Sequence, residues 1–235
     1  MKAVIQAGGR GTRLKPYTLV LPKPMMPVGA EPVIDILLKW LRRNGAKDVY
    51  ITINYLGRLL KALCGDGSQW DMRITYCEEK EPLGTIGPLS LLRDHLTETF
   101  LVLNGDLITD MNLRSLVSFH KSHGGNLTVS VTKKGVHVDM GVIESDGSVI
   151  TKFREKPTFE YDVSMGVYCM EPAILDDIPK GAPFGFDDLV ASMLAVGKPV
   201  HIYRHEGYWM DIGRPEDFAA AQKDFAQHRH KILGD

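Results

Sequence analysis

The chain has 235 residues, with 28 Lys+Arg against 29 Asp+Glu, a formal net charge of -1, 44% hydrophobic and 24% charged residues. That mixture is globular and excludes a disordered, collagen-like or coiled-coil chain, and the length suits one large α/β domain or a core with a small appendage. Balanced charge removes any general case for nucleic acid or an anionic membrane as partner, without forbidding a local cluster of one sign.

From the N-terminus, Ala3-Val4-Ile5 reads as a buried strand. The handful of apolar residues before Gly8-Gly9 makes no signal peptide. Pro32 to Arg43 carries Val33, Ile34, Ile36, Leu37, Trp40 and Leu41 at the three-four spacing of an amphipathic helix, which Asn44-Gly45 stops. Val49 to Ile53 is the next strand, followed by a helical stretch from Leu56 to Leu63. Arg73 to Cys77 and Phe100 to Leu103 are further strands, with a helix expected from about Thr85 to His95 between them. Alternating strands and helices predict right-handed crossovers and a mostly parallel sheet with helices on both faces.

After about residue 125 the texture changes. Leu127–Val131, Gly141–Ile143, Val149–Phe153 and Val167–Cys169 are short apolar runs punctuated by Gly124-Gly125 and Asp146-Gly147, which predicts antiparallel hairpins. A late helix from Pro215 to about Arg229 follows. The expectation is a single continuous domain over 1–235, its half at about 126–235 forming a lobe and a closing helix over the half at about 1–125. Cys64, Cys77 and Cys169 are odd in number and show no CxxC, so they read as free buried thiols in a soluble, reducing, cytoplasmic setting. No apolar run approaches the roughly 18 residues of a membrane span.

The most informative segment is Gln6-Ala7-Gly8-Gly9-Arg10-Gly11-Thr12-Arg13-Leu14-Lys15-Pro16, directly after the first strand. Glycines at the carboxyl end of a strand let backbone N–H groups approach an anion, in the place where open α/β sheets bind ligands. Neither GxxxxGK[ST] nor GxGxxG spacing is present. Arg13 can clasp phosphate oxygens in a fork, with Lys15 and Lys23 as point charges. Prolines 16, 22, 24 and 27 fix many φ angles nearby, which suits a rigid cradle better than a solvated linker.

The chain resembles the sugar-1-phosphate nucleotidyltransferases, or nucleotide-sugar pyrophosphorylases. The likeness is carried by AGGRGTRLKPYT at 7–18, LPKPMMPV at 21–28, EPLGTIG at 81–87, LNGD at 103–106, REKP at 154–157 and YWMDIGRPEDF at 208–218. It implies a Rossmann-like α/β fold whose half at about 1–125 binds the nucleotide and whose lobe of antiparallel strands at about 126–235 binds the sugar, with Mg²⁺ as cofactor, an NTP and a sugar 1-phosphate as substrates, and release of pyrophosphate. It also implies Arg13 and Lys23 as catalytic residues and Asp106 and Asp211 as metal ligands. Ala7, Gly8, Gly9, Gly11, Thr12, Arg13, Glu79, Pro82, Gly84, Thr85, Asn104 and Asp106 are the implied nucleotide contacts. Gly141, Glu155, Lys156 and Ser164 are the implied sugar-phosphate contacts. A homo-oligomer is a further expectation of the resemblance.

Magnesium takes oxygen ligands, usually one or two carboxylates plus substrate phosphates, so the two aspartates suit it. Asp110 reads as the N-terminal cap of a helix starting at Met111-Asn112-Leu113. Guanine offers two adjacent donors that a carboxylate can accept, whereas thymine and uracil favour an amide, so Glu79 or Glu81 tilts the choice to GTP. EPLGTIG also looks like the mannose or heptose 1-phosphate guanylyltransferase branch. Gln6, Met140 and Ser164 depart from residues common in that family. The alternatives are a thymidylyl- or uridylyltransferase, or a non-catalytic regulatory module, which the complete set Arg13, Lys23, Asp106, Asp211, Glu155 and Lys156 disfavours. The sequence stops after the late helix, so no appended β-helix domain is expected.

Overall fold

In the computed structural model, which describes residues 1–234, the chain runs β1 (Lys2–Gln6), β2 (Pro27–Val28), β3 (Glu31–Pro32), α1 (Val33–Arg43), β4 (Asp48–Ile53), α2 (Gly57–Cys64) and β5 (Arg73–Glu78). It continues through β6 (Phe100–Asn104), β7 (Leu107–Thr109), α3 (Leu113–His123), β8 (Leu127–His137), β9 (Val142–Asp146), β10 (Val149–Arg154) and β11 (Thr158–Met170). It closes with α4 (Phe186–Ala195), β12 (Val200–Arg204), β13 (Trp209–Asp211) and α5 (Pro215–Leu233).

Seven strands form one sheet in the order β12-β8-β11-β6-β1-β4-β5. All but β11 run in one direction, since β11 is antiparallel to both neighbours while the other pairings are parallel. Alternation along the central strands sorts their side chains into two cores, as the pleat requires. Ala3 and Ile5 of β1 and Leu101 and Leu103 of β6 join the core beneath α1, α3 and α5. Val4, Phe100 and Val102 point the other way, toward Leu189 and Met193 of α4. Each fully buried side chain of this size contributes about 1.5–3 kcal/mol. The mixed, mostly parallel sheet with helices on both faces is the architecture expected.

Several local readings change. The stretch expected to be helical from Thr85 to His95 is a 3-10 segment over Gly87–Leu92, opened by Pro88. Its entry is tied by backbone bonds from Ile86 and Gly87 to the Phe184 carbonyl, which override helical pairing. Strand β8 continues from the expected Leu127–Val131 to His137, and β11 reaches back to Thr158. Their outer halves form a solvent-exposed antiparallel ribbon, while Leu127–Val131 and Met165–Met170 are buried in the central sheet. Helix α5 extends to Leu233. Asp110 is not a helix cap: Asn112 caps α3, accepting from the Ser115 N–H at 3.1 Å, and Asp110 pairs with His205 Nε2 at 2.9 Å. All three cysteines are free and buried. Among the described residues no helix is long and apolar enough to cross a membrane.

One buried titratable group sets a pH expectation. His120 is 1% exposed, with Nδ1 2.8 Å from Thr128 Oγ1 and Nε2 3.3 Å from Glu171 Oε1, off the line of a hydrogen bond. Burial pushes its pKa below the usual histidine value, outweighing the nearby Glu171. The unfolded chain therefore takes up a proton that the native imidazole resists, and stability falls as pH drops below about 6.5. Urea unfolding at pH 7.5 and 5.5 should show that fall, and it should be shallower in His120→Gln; an identical pH slope in the variant would assign the effect elsewhere.

Candidate functional site

The carboxyl ends of β1, β4 and β6 meet in register, Gln6 lying between Thr52 and Asn104. A cleft of about 510 Å³ opens over these ends. Its floor is the glycine loop from Ala7 to Arg13, its walls include Lys23, Pro24, Glu79, Pro82, Gly84 and Thr85, and Asn104, Gly105, Asp106 and Gly213 complete it.

The loop's shape depends on two glycines. Gly11 has φ +59°, and a Cβ there would stand 2.9 Å from Thr18 Cγ2, while Thr18 Oγ1 donates to the Gly11 carbonyl at 2.8 Å. An L side chain is excluded on both counts. Gly8 has a different reason: a Cβ would meet Glu79 Oε1 at 2.4 Å, so hydrogen there lets the carboxylate close on the loop. The loop then turns through the 3-10 segment Thr12–Leu14, from which Arg13 enters the cleft. Lys15 is exposed and does not line it, so the one ammonium among the described cleft residues is that of Lys23, presented by the proline-containing turn Lys23–Met25.

The two aspartates reach the site from one small ladder. Asp106 immediately precedes β7 and Asp211 ends β13; these strands pair antiparallel with Asp211 opposite Leu107, and the Ile212 N–H donates to the Asp106 carbonyl at 2.9 Å. The Lys23 ammonium sits between the carboxylates, donating to Asp106 Oδ2 and lying 3.8 Å from Asp211 Oδ1. Burial, and secondarily Arg13, depress the Lys23 pKa, with Asp211 opposing. Asp211 Oδ1 is shielded from solvent and has no hydrogen-bond partner among the described residues. Two carboxylates drawn to one ammonium, one of them with an oxygen that lacks a hydrogen bond, form an all-oxygen set that fits a hard divalent cation such as Mg²⁺ in place of that ammonium. No cluster of three or more His, Cys, Asp or Glu suited to a metal occurs among the described residues, so the remaining ligands would be phosphate and water.

The structure chooses between the two glutamates. Glu79 is 8% exposed and lines the cleft, its Oε2 accepting from the Leu83 N–H at 3.0 Å; Glu81 is exposed outside it. Burial raises the Glu79 pKa, which the Leu83 N–H partly offsets.

All twelve implied nucleotide contacts line this cleft. The four implied sugar contacts do not, among the described residues. Gly141 and Glu155 flank the first and last residues of the β9–β10 hairpin, and a Cβ at Gly141 would come within 3.3 Å of Glu155 Oε2. Lys156, at φ +44°, pairs with Asp139 at 2.8 Å, and Ser164 Oγ donates to the Tyr168 hydroxyl at 3.2 Å on β11. Sequence reading passed over Thr52, Asn54, Pro24, Gly105 and Gly213 as cleft residues. Thr52 and Asn54 carry a usable signal, since they lie at and just beyond the carboxyl end of a parallel strand. Asn54 also donates to the Glu79 carbonyl at 3.2 Å.

Comparison with known proteins shows what the chain as a whole is similar to. The family described as "Nucleotidyl transferase" matches residues 2–228. Mannose-1-phosphate guanyltransferase of Schizosaccharomyces pombe is 37% identical over 99% of this chain and 68% of its own length. Mannose-1-phosphate guanylyltransferase 1 of Arabidopsis thaliana is 37% identical over 93% of this chain and 63% of its own length. The chain thus spans about two thirds of these relatives. Among solved structures, HddC from Yersinia pseudotuberculosis superposes with a TM-score of 0.76 at 24% identity, covering 95% of this chain and 99% of that one. A second structure of HddC, complexed with GMP-PN, gives 0.73, a likeness of fold.

Proposed function

The chain belongs to the nucleotidyl transferase family, and from that premise we propose that it transfers a guanylyl group from GTP to a sugar 1-phosphate, releasing pyrophosphate. The observation that carries the reading is the convergence in one cleft of Arg13, Lys23, Asp106 and Glu79, with Asp211, which does not line the cleft, 3.8 Å behind the Lys23 ammonium. The names of the relatives support mannose 1-phosphate as the first acceptor to assay.

In this reaction a phosphate oxygen of the sugar 1-phosphate attacks the α-phosphorus, and the bond from that phosphorus to the α–β bridging oxygen breaks, so pyrophosphate leaves with its electron pair. Two polyanions must meet, so the protein supplies positioning and charge more than a covalent catalyst. The N–H groups of the glycine loop and the Arg13 guanidinium would hold the phosphates, and Lys23 would neutralise charge at the reacting centre. Asp106 and Asp211 would hold Mg²⁺, which supplies Lewis-acid stabilisation of charge on the phosphoryl oxygens. Glu79 would accept from the base, and Gly141, Glu155, Lys156 and Ser164 would meet the sugar phosphate from the second half of the chain. Three free buried thiols accord with a reducing, cytoplasmic setting.

A matrix of GTP, dTTP, UTP, CTP and ATP against hexose, amino-hexose and heptose 1-phosphates, with pyrophosphate detection in Mg²⁺, tests the reading. GTP should exceed every other nucleotide. Release of pyrophosphate from none of them would leave a binding module in place of an enzyme.

A further inference from the structure

We propose that Gln6 is a base-reading residue: its amide carbonyl oxygen accepts a hydrogen bond from the exocyclic 2-amino group of guanine, beside a ring N–H taken by Glu79. The inference rests on the guanosine reading given above and assigns the discrimination within it.

Gln6 ends β1 and lines the same cleft as Glu79. Its Nε2 donates to the Thr85 carbonyl. A carbonyl can only accept, so this contact decides which way the amide is turned, and Oε1 is the acceptor it has left to offer. No N–H or O–H among the described residues donates to that oxygen. Glu79 is arranged in the same way: Oε2 takes the Leu83 N–H, while Oε1 stands against Gly8 at the cleft floor. Two elements therefore each present one occupied group and one unused acceptor.

Both acceptors are anchored through the same short segment, and that segment is itself held. Phe184 donates to the Leu83 carbonyl at 2.9 Å and accepts from Ile86 at 2.9 Å, and the Phe186 N–H donates to Thr85 Oγ1 at 2.9 Å. The Phe186 ring stacks on Tyr168 with centroids 4.1 Å apart. Acceptors fixed before the ligand arrives select by mismatch as well as by match. Guanine alone among the common bases puts a ring N–H beside an exocyclic amino group. Uracil and thymine flank their N–H with carbonyl oxygens, and cytosine and adenine set a ring acceptor beside their amino group. Any of these four would bring an acceptor against Gln6 Oε1 or Glu79.

ITP isolates the claim, because it keeps the ring N–H and lacks only the 2-amino group. Wild-type protein should prefer GTP over ITP by about tenfold in kcat/KM, the loss expected when a site's acceptor goes unpaired. Gln6→Met removes that acceptor, and the GTP/ITP ratio should collapse toward one, because GTP loses about tenfold more than ITP does. Calorimetric affinities of GDP and IDP for the folded variant should show the same collapse without chemistry. If both nucleotides fall in parallel, Gln6 merely holds Thr85 in place and the proposal is overturned; an unchanged ratio overturns it equally. A wild-type enzyme that uses dTTP and neither purine would instead bring down the guanosine reading, and the role of Gln6 with it.

Discussion

Asp106→Asn is expected to lower kcat by at least about a thousandfold while the protein remains folded. The substitution keeps size and shape but removes the charge that a hard cation needs, and loss of several kcal/mol of transition-state stabilisation corresponds to that factor. Asp211→Asn should behave alike, because the β7–β13 ladder delivers both carboxylates to the same ammonium. The structural cost is small by comparison. Asp106 carries only one end of a part-buried ion pair, and Lys23 keeps Asp211 at 3.8 Å when it is lost. About 1 kcal/mol lost would lower the melting temperature by roughly 2–4 °C in a chain of this size. Pyrophosphate release measured alongside thermal unfolding separates the two effects, and full turnover in both variants would remove the metal assignment.

Lys23→Met should produce two changes of opposite sign. Turnover should fall by about a hundredfold or more, because a cation at the reacting phosphates is lost. Affinity of the nucleotide-free protein for Mn²⁺ should rise by about tenfold, the response to about 1.4 kcal/mol of removed competition. The reason lies in where the ammonium rests. It donates to Asp106 and lies 3.8 Å from an Asp211 oxygen that has no hydrogen bond, so it fills the electrostatic role that a divalent cation would take over. Burial disfavours its charge, while Asp211 opposes that effect. Electron paramagnetic resonance of free Mn²⁺ reads the affinity independently of catalysis. Unchanged or weaker Mn²⁺ binding in the variant would show that Lys23 and the metal do not share the carboxylates.

Much of the architecture was legible because it follows from short-range periodicity. The three-four spacing of α1 and its stop at Asn44-Gly45 are observed, with Gly45 at φ +90° and its N–H bonded to the Arg42 carbonyl. The buried runs of β1, β4 and β6 lie in the centre of the sheet, where both faces are covered. The segment from Thr85 to His95 misled for an equally physical cause. Its apolar spacing is helical, yet its N-terminal end is bonded to Phe184, about a hundred residues downstream in a part of the chain that local propensity does not sense. Asp110 misled likewise, its carboxylate being claimed by His205, 95 residues away.

The candidate site divides along the same line. Residue types pointed to the glycine loop and its neighbouring cations as a phosphate cradle, and the family resemblance singled out Arg13, Lys23 and the two aspartates, since phosphate and metal chemistry draw on backbone N–H groups, cations and carboxylates. The sequence by itself therefore determined the kind of chemistry this chain is equipped for. Tertiary structure decided which groups face one another: Glu79 and not Glu81 in the cleft, Lys15 outside it, Lys23 between Asp106 and Asp211, and Gln6 turned by Thr85. Those choices depend on strand order and on contacts between distant segments, such as the 83 positions from Lys23 to Asp106, whereas turn and helix preferences act over only a few residues.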